Sequence, residues 1–264
     1  MLTLTPLIKF PNIRKGDDLA DVILKALRDT RITLQDRDIL VLAQKIVSKA
    51  EGRTVNLNSI TPSSRAKELA KEIERDPRLL ELILQESNEV LRFRLGTIIV
   101  EHKLGFVCAN AGIDHSNVNP PGRSQGSESY KYINHEDWVL LLPKDPDHSA
   151  WQIRDKIERA TTTRIGVLII DSHGRAWREG TVGISIGLSG LPALEDLRGT
   201  PDMFGFKLRI TQVGVADELA AAASLMMGQA AEGTPVIHVR GFPYQLRDGK
   251  FSELLRSKEK DMFR

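Results

Sequence analysis

Apolar positions along the chain follow two periods, and the periods alternate. From Asp17, "DDLADVILKALRD" spaces Leu19, Val22, Ile23 and Leu27 three or four residues apart, which predicts an amphipathic helix. "DRDILVLAQKIVSKAEGR" follows, and its unbroken apolar core over Ile39–Ala43 predicts a strand. Thr61 and Pro62 predict a helix start, threonine as cap and proline at the first helical position. That helix runs through "SSRAKELAKEIER", and "PRLLELILQESNEVLR" predicts another. "GTIIVEHKLGFVCANAG" reads as a β-hairpin turning near residues 103–105.

Between residues 119 and 137 the pattern is interrupted by "NPPGRSQGSESYKYINHED", whose Pro, Gly and Ser content predicts an exposed, mobile loop. "LLLPKDPDHSAWQIRDKIERAT" then passes from strand to helix, with Pro146 near the helix start, and "RIGVLIIDS" is an apolar strand over 165–170 ending in an acid. A glycine-rich strand "GTVGISIGLSG", a strand "FKLRITQVG", a long helix "ADELAAAASLMMGQ", a buried strand "TPVIHVRG" and a charged terminal helix "SELLRSKEKDMF" complete the series. This irregular order predicts an α+β (mixed α/β) fold without the regular repeat of a barrel or Rossmann unit. A single domain over 1–264 is expected. A division into two subdomains near residue 115 or 240 stays open, because no linker marks either place.

Composition narrows the function classes. A hydrophobic fraction of 41% and a charged fraction of 27% are those of an ordinary globular protein. With 37 basic and 35 acidic residues the net charge is only +2, and 5% aromatic content offers little base stacking, so no nucleic-acid partner is expected. Basic runs such as "RSKEK" are interleaved with acids and read as solvated helix faces. Cys108 is the single cysteine, which excludes an intrachain disulfide and reads as a small buried hydrophobe rather than a nucleophile. No apolar stretch approaches the roughly 18 residues of a membrane span. The N-terminus lacks a secretory signal pattern, so a cytoplasmic protein without a membrane partner is expected.

The common nucleotide and metal signatures are missing. There is no G-x-x-x-x-G-K-[ST] and hence no P-loop, and "GISIGLSG" does not have the Rossmann glycine order. H-E-x-x-H and Cys/His clusters are also lacking, which argues against zinc. What remains is a set of oxygen-bearing residues at the ends of elements. In "VCANAGIDHSNV" an apolar run gives way to Asn110, Asp114, His115, Ser116 and Asn117, the pattern of a strand entering a functional loop. Asp114 follows that strand and Asp171 follows the strand at 165–170. A carboxylate just past a buried strand is rigidly aimed yet open to solvent, as Mg²⁺ or Mn²⁺ ligands must be. Ser172 and Asn117 add neutral oxygens. The plain alternative for either acid alone is a capped turn. Arg175 and Arg178 suit an anionic substrate or are simply surface arginines, and Lys49 meets a phosphate or is solvated. His115 and His173 are given no role.

Read together, "SKAEGR" at 48–53, "NAGIDHSNV" at 110–118, "LLPKDPDHSA" at 141–150, "IIDSHGRAWREGTVGISIGLSG" at 169–190, "VADELAAAASLMMGQAAEG" at 215–233 and "VRG" at 239–241 resemble the coenzyme F420-0:L-glutamate ligase family, the gamma-glutamyl ligases of the deazaflavin coenzyme. Order and spacing match from about residue 6 to 257. The resemblance implies that family's fold, two divalent metal ions per site (Mn²⁺ or Mg²⁺) with K⁺ as a further candidate ion, and GTP as co-substrate. It implies that Asp114 and Asp171 bind a metal, and that Ser172, usually threonine, and Gln229 help hold the second. It implies nucleotide contacts from Asn117, from Phe10, Pro11, Asn12 and Ile13, and from Gln44, Lys45 and Lys49. Arg175 and Arg178 would steer the anionic coenzyme.

The implied reaction is GTP-driven amide formation. The terminal carboxylate of coenzyme F420-0 attacks the γ-phosphate, giving an acyl phosphate and GDP. The α-amino group of L-glutamate then displaces phosphate, and later rounds add γ-linked glutamates. Gln44-Lys45 replaces a serine-threonine pair of some archaeal members, and the 119–136 insertion follows the metal loop directly. Some bacterial members carry a fused flavin reductase domain, whereas the ligase domain alone is expected here. The resemblance also implies a homodimer. Two other readings compete: a paralogous GTP-dependent ligase using a different amino acid or acceptor, and a non-catalytic nucleotide-binding or scaffolding protein.

Overall fold

In the computed structural model residues 1–118 and 137–262 are described, and the 119–136 insertion lies outside them. A five-stranded sheet forms the centre: β1 (Thr3–Pro6), β12 (Val236–Arg240), β2 (Ile39–Ala43), β8 (Gly166–Arg175) and β9 (Arg178–Ser189), in that spatial order. β2 and β8 run parallel, while the other neighbours are antiparallel. Alternation along the strands divides the core between two faces. Leu40, Leu42, Val167 and Ile169 pack into the larger cluster, whereas Ile39, Val41, Leu168 and Ile170 pack into the other.

The larger cluster is covered by α1 (Leu19–Asp29), α3 (Ser64–Ile73), α4 (Pro77–Gln85) and α5 (Pro146–Thr161). α2 (Gln44–Ala50) leads directly out of β2. On the opposite face lies α6 (Val215–Met227), whose Ala216, Leu219, Ala220 and Ala223 meet the sheet. Two glycines of β9 let helices approach closely. A Cβ on Gly183 would stand 2.6 Å from the Ala220 carbonyl of α6, and one on Gly187 would collide with Pro146 at the start of α5.

Beside this sandwich stand a three-stranded sheet of β4 (Ser87–Arg94), β5 (Thr97–His102) and β6 (Val107–Ala109), and a pair formed by β3 (Thr54–Asn56) and β7 (Trp138–Leu140). A hairpin arm leaves the body between β10 (Glu195–Asp196) and β11 (Gln212–Val213). At its tip the Asp202 carboxylate accepts from the amides of Phe204 and Phe206, at 2.8 and 2.9 Å. The arm leaves Met203, Phe204 and Ile210 about nine-tenths exposed, at 95%, 93% and 88%. No helix among the described residues is long and apolar enough to cross a membrane.

Several sequence expectations need correction. The helix expected to open at Thr61 is capped by Ser63, whose hydroxyl accepts from the Ala66 amide. The "PRLLELILQESNEVLR" helix ends at Gln85 and its second half is β4. β8 does not stop before Asp171 but continues to Arg175. "FKLRITQVG" contributes only Gln212–Val213 to a strand, and the terminal helix is replaced by short 3₁₀ turns at Phe251–Leu254 and Lys258–Lys260. The strand expected in "LLLP" from Leu140 is instead β7, which ends there. The periodicity does not announce β1, β3 or α2, whereas α1, β2, the β5–β6 hairpin, α5, β9, α6 and β12 fall where it put them.

Candidate active site

Parallel pairing of β2 and β8 ends with Ala43 opposite Ile170, so Gln44 and Asp171 follow side by side where β2 stops and β8 runs on paired only with β9. In such sheets the crevice outside a strand's carboxyl end is the usual place for a ligand. Gln44 is 1% exposed although it opens a helix. Its side-chain amide donates to Asp114 Oδ2 at 2.9 Å, and its Oε1 accepts from the Ser48 hydroxyl at 2.8 Å. Lys45 donates to Ser116 Oγ at 2.7 Å and lies 3.5 Å from Asp114 Oδ2.

Asp114 is delivered to that point by an unusual turn. Asn110, Ala111 and Gly112 all have positive φ (53°, 53° and 64°), so the chain turns left-handed immediately after β6. For non-glycine residues this conformation is costly and persists only where the surroundings impose it. The Asp114 backbone is then clamped to β7, its amide donating to the Leu140 carbonyl at 3.0 Å and its carbonyl accepting from the Leu140 amide at 2.8 Å. Burial pushes the Asp114 carboxyl up to about 6; Lys45 opposes that rise and the neighbouring charge of Asp171 adds to it. Two confined acids that repel one another form a place where a cation is stabilising.

Beyond Asp114 the loop reaches across to the opposite face of the sheet. Asn117, itself at φ 58°, donates through Nδ2 to the Ala230 carbonyl at 3.1 Å. Ser172 points to that same side, and its hydroxyl donates to Gln229 Oε1 at 3.0 Å. The Gln229 amide in turn donates to Ser224 Oγ on α6, also at 3.0 Å. Asp171, on the other face of β8, accepts at Oδ2 from His173 Nε2 at 2.9 Å. Asp114, Asp171, Ser172, Gln229, Gln44, Lys45 and Asn117 thus meet around one edge of the sheet, in two hydrogen-bonded groups.

The other expected residues lie farther out. Lys49 sits one helical turn beyond Lys45; burial and the charge of Lys45 lower its pKa. Phe10, Pro11, Asn12 and Ile13 belong to the β1–α1 loop, which the Gly16 amide ties to the Ala50 carbonyl at 2.8 Å, the far end of α2 from Gln44. Arg175 and Arg178 face each other at the tip of the β8–β9 hairpin. Arg175 is four residues, roughly 13 Å, beyond Asp171 along β8. A groove of about 410 Å³ between α1, α2 and α5, lined by Asp18, Val47, Glu51, Trp151 and Lys156, contains none of these residues.

Among the described residues no group of three or more His, Cys, Asp or Glu side chains is arranged so that it could hold a metal ion. The donors are two carboxylates with neutral serine and glutamine oxygens. That set fits a hard divalent cation that completes its shell with water and phosphate oxygens, and fits zinc poorly. Asn110 Oδ1 is buried beside the loop without a hydrogen-bond partner among the described residues, an acceptor that a bound group would satisfy. Burial, reinforced by the charge of Asp171, pushes the Cys108 thiol up to about 12, so no thiolate nucleophile is offered. Sequence reasoning passed over Ser224, named Ser116 only as part of the loop, and gave His173 no role. The i, i+2 spacing of Asp171 and His173 would have revealed the last of these had β8 been extended past the acid.

Comparison with known proteins gives one consistent result. The family model for F420-0:Gamma-glutamyl ligase matches residues 7–241. The coenzyme F420:L-glutamate ligase of Methanothermobacter thermautotrophicus is 44% identical over 256 residues, covering 96% of this chain and 95% of that protein. The proteins of that name from Methanocaldococcus jannaschii and Archaeoglobus fulgidus are 45% and 40% identical, over 88% and 98% of this chain and 86% and 95% of their own.

Proposed function

Because the chain belongs to the F420-0:gamma-glutamyl ligase family, and so to the ligases, we propose that it joins L-glutamate to coenzyme F420-0 with GTP as the energy source. The observation that carries this reading is the pair of mutually repelling acids, Asp114 and Asp171, brought together where β2 ends beside β8, with Gln44 and Lys45 at Asp114. Asp114 and Asp171 would hold one divalent cation, and Ser172 and Gln229 would contribute to a second. When bound, such ions neutralise charge on the phosphates and on the incoming carboxylate.

The chain's own residues supply orientation. Gln44 fixes one oxygen of Asp114, and Ser224 fixes Gln229. Lys45 and Lys49 present ammonium groups to phosphate oxygens, Asn117 and the 10–13 loop meet the nucleotide, and Arg175 and Arg178 attract the anionic coenzyme from the rim. The coenzyme carboxylate attacks the γ-phosphoryl group and GDP leaves. The glutamate amine then attacks the acyl carbon of the acyl phosphate and phosphate leaves; later rounds build γ-linkages. The protein works in the cytoplasm as a homodimer, with the arm carrying Met203, Phe204 and Ile210 as the apolar surface that a second copy covers.

Incubation with GTP, Mn²⁺, L-glutamate and coenzyme F420-0, followed by mass spectrometry, tests the reading. Glutamyl mass increments matched by GDP are expected, and Asp114→Asn is expected to abolish them. GDP without a glutamyl product would assign a different amino acid or acceptor, and no metal-dependent GDP release would reject the reading.

A further inference from the structure

We propose that His173 is a positioning residue for Asp171: its Nε2–H fixes one carboxylate oxygen so that the other is presented to the cleft as a metal ligand. This rests on the divalent-metal reading above and adds a residue to which neither the motifs nor the resemblance gives a role.

Three observations converge on it. β8 keeps its strand geometry two residues past the acid, so Asp171 and His173 project from the same face. Their side chains meet at 2.9 Å between Nε2 and Oδ2, with the imidazole 8% and the carboxylate 11% exposed, so water competes little for either. The imidazole is itself held from behind. Phe106 lies against it at 5.2 Å between ring centroids, stacks in turn on His102 at 5.2 Å, and meets the edge of Phe251 at 5.7 Å. A carboxylate alone turns easily about its last torsion. One whose Oδ2 is tied to a packed ring keeps Oδ1 aimed in a single direction. Hydrogen-bond partners of metal-ligating carboxylates act in this way, and their loss weakens metal binding by about 10–100-fold.

The chemistry separates this role from simple packing. A phenylalanine at 173 would fill the same space beside Phe106 without offering a donor. Glutamine places its amide nitrogen near the position of Nε2, whereas the shorter asparagine stops near Nδ1 and falls short of Asp171. The test is Mn²⁺ binding followed by electron paramagnetic resonance, in the full-length protein with the metal alone, for His173→Gln, His173→Asn, His173→Phe and Asp171→Asn. Thermal melts would confirm that each variant is folded. His173→Gln is expected to bind Mn²⁺ close to wild type, with His173→Asn and His173→Phe weaker by about 10–100-fold. Equal binding by the Gln and Asn variants, or wild-type binding by His173→Phe, would overturn the positioning role while leaving the metal site intact. Wild-type binding by Asp171→Asn would instead overturn the metal reading on which it rests.

Discussion

Asp38, at the start of the strand that leads to Gln44, is 1% exposed and accepts three hydrogen bonds from two strong partners. Arg240 reaches it through two nitrogens at 2.9 and 2.7 Å, and His238 Nε2 lies 2.8 Å away. Burial works against its charge, but the hydrogen bonds from Arg240 and His238 outweigh it and hold the carboxyl well below the ordinary 3.8. A folded-state value below the unfolded one means that this stabilisation is complete above the ordinary value and is lost as pH falls through the folded value. Asp38→Asn strands a buried histidine and an arginine, and should cost about 3 kcal/mol near neutral pH. Thermal melts of the two proteins should differ most at neutral pH and converge below about pH 4. A gap independent of pH would contradict the assignment. Nothing in "DRDIL" announces this cluster, because its partners lie 200 residues away at His238 and Arg240.

Among the elements, contact between β9 and α6 leaves no room for a side chain at Gly183. A Cβ on Gly183 would come within 2.5 Å of Ser224 Cβ and 2.6 Å of a helix carbonyl, neither of which can yield without moving α6. Gly183→Ala should therefore lose about 1–3 kcal/mol by differential scanning calorimetry. It should also weaken Mn²⁺ binding at the proposed second metal site, since Ser224 is what holds Gln229. Elements with a strong period were legible in the sequence: α1, β2, α5 and α6 all stand where apolar spacing put them. Those that failed did so for identifiable reasons. The run at 77–94 keeps leucines, isoleucine and valine at helix-like intervals among polar residues, but Ser87–Arg94 pairs with β5, a tertiary contact that overrides helical propensity. β8 looked finished at Asp171 because its apolar residues end there, yet backbone pairing with β9 carries it on through polar residues. The candidate site was half legible for the same reason: Asp114 and Asp171 stand out as acids at the limits of apolar runs. Gln44 and Ser224 do not, because their place depends on which strand lies beside which.

At the scale of the whole molecule, the arm with Met203, Phe204 and Ile210 is a strongly apolar feature left in solvent among the described residues. Its backbone is well ordered by rungs such as Leu197 to Thr211 at 3.0 Å and Leu208 to Thr200 at 2.9 Å, so the apolar tip is a shaped surface. Under the proposed homodimer, replacing Met203 and Phe204 by aspartate should shift the protein from dimer to monomer in light scattering, with the melting temperature of the body little changed. A dimer unaffected by both substitutions would place the interface elsewhere.

The strand order β1-β12-β2-β8-β9 also has a consequence for biosynthesis. β2 emerges from the ribosome early, yet neither of its neighbours exists until residues 166–175 and then 236–240 have been made. At about 5–20 residues per second, the strand leading to Gln44 waits many seconds with both edges unpaired. A chain that has not yet been translated past residue 240 lacks the last central strand between β1 and β2. Chaperone capture of nascent chains should therefore be greatest before that point and fall sharply after it.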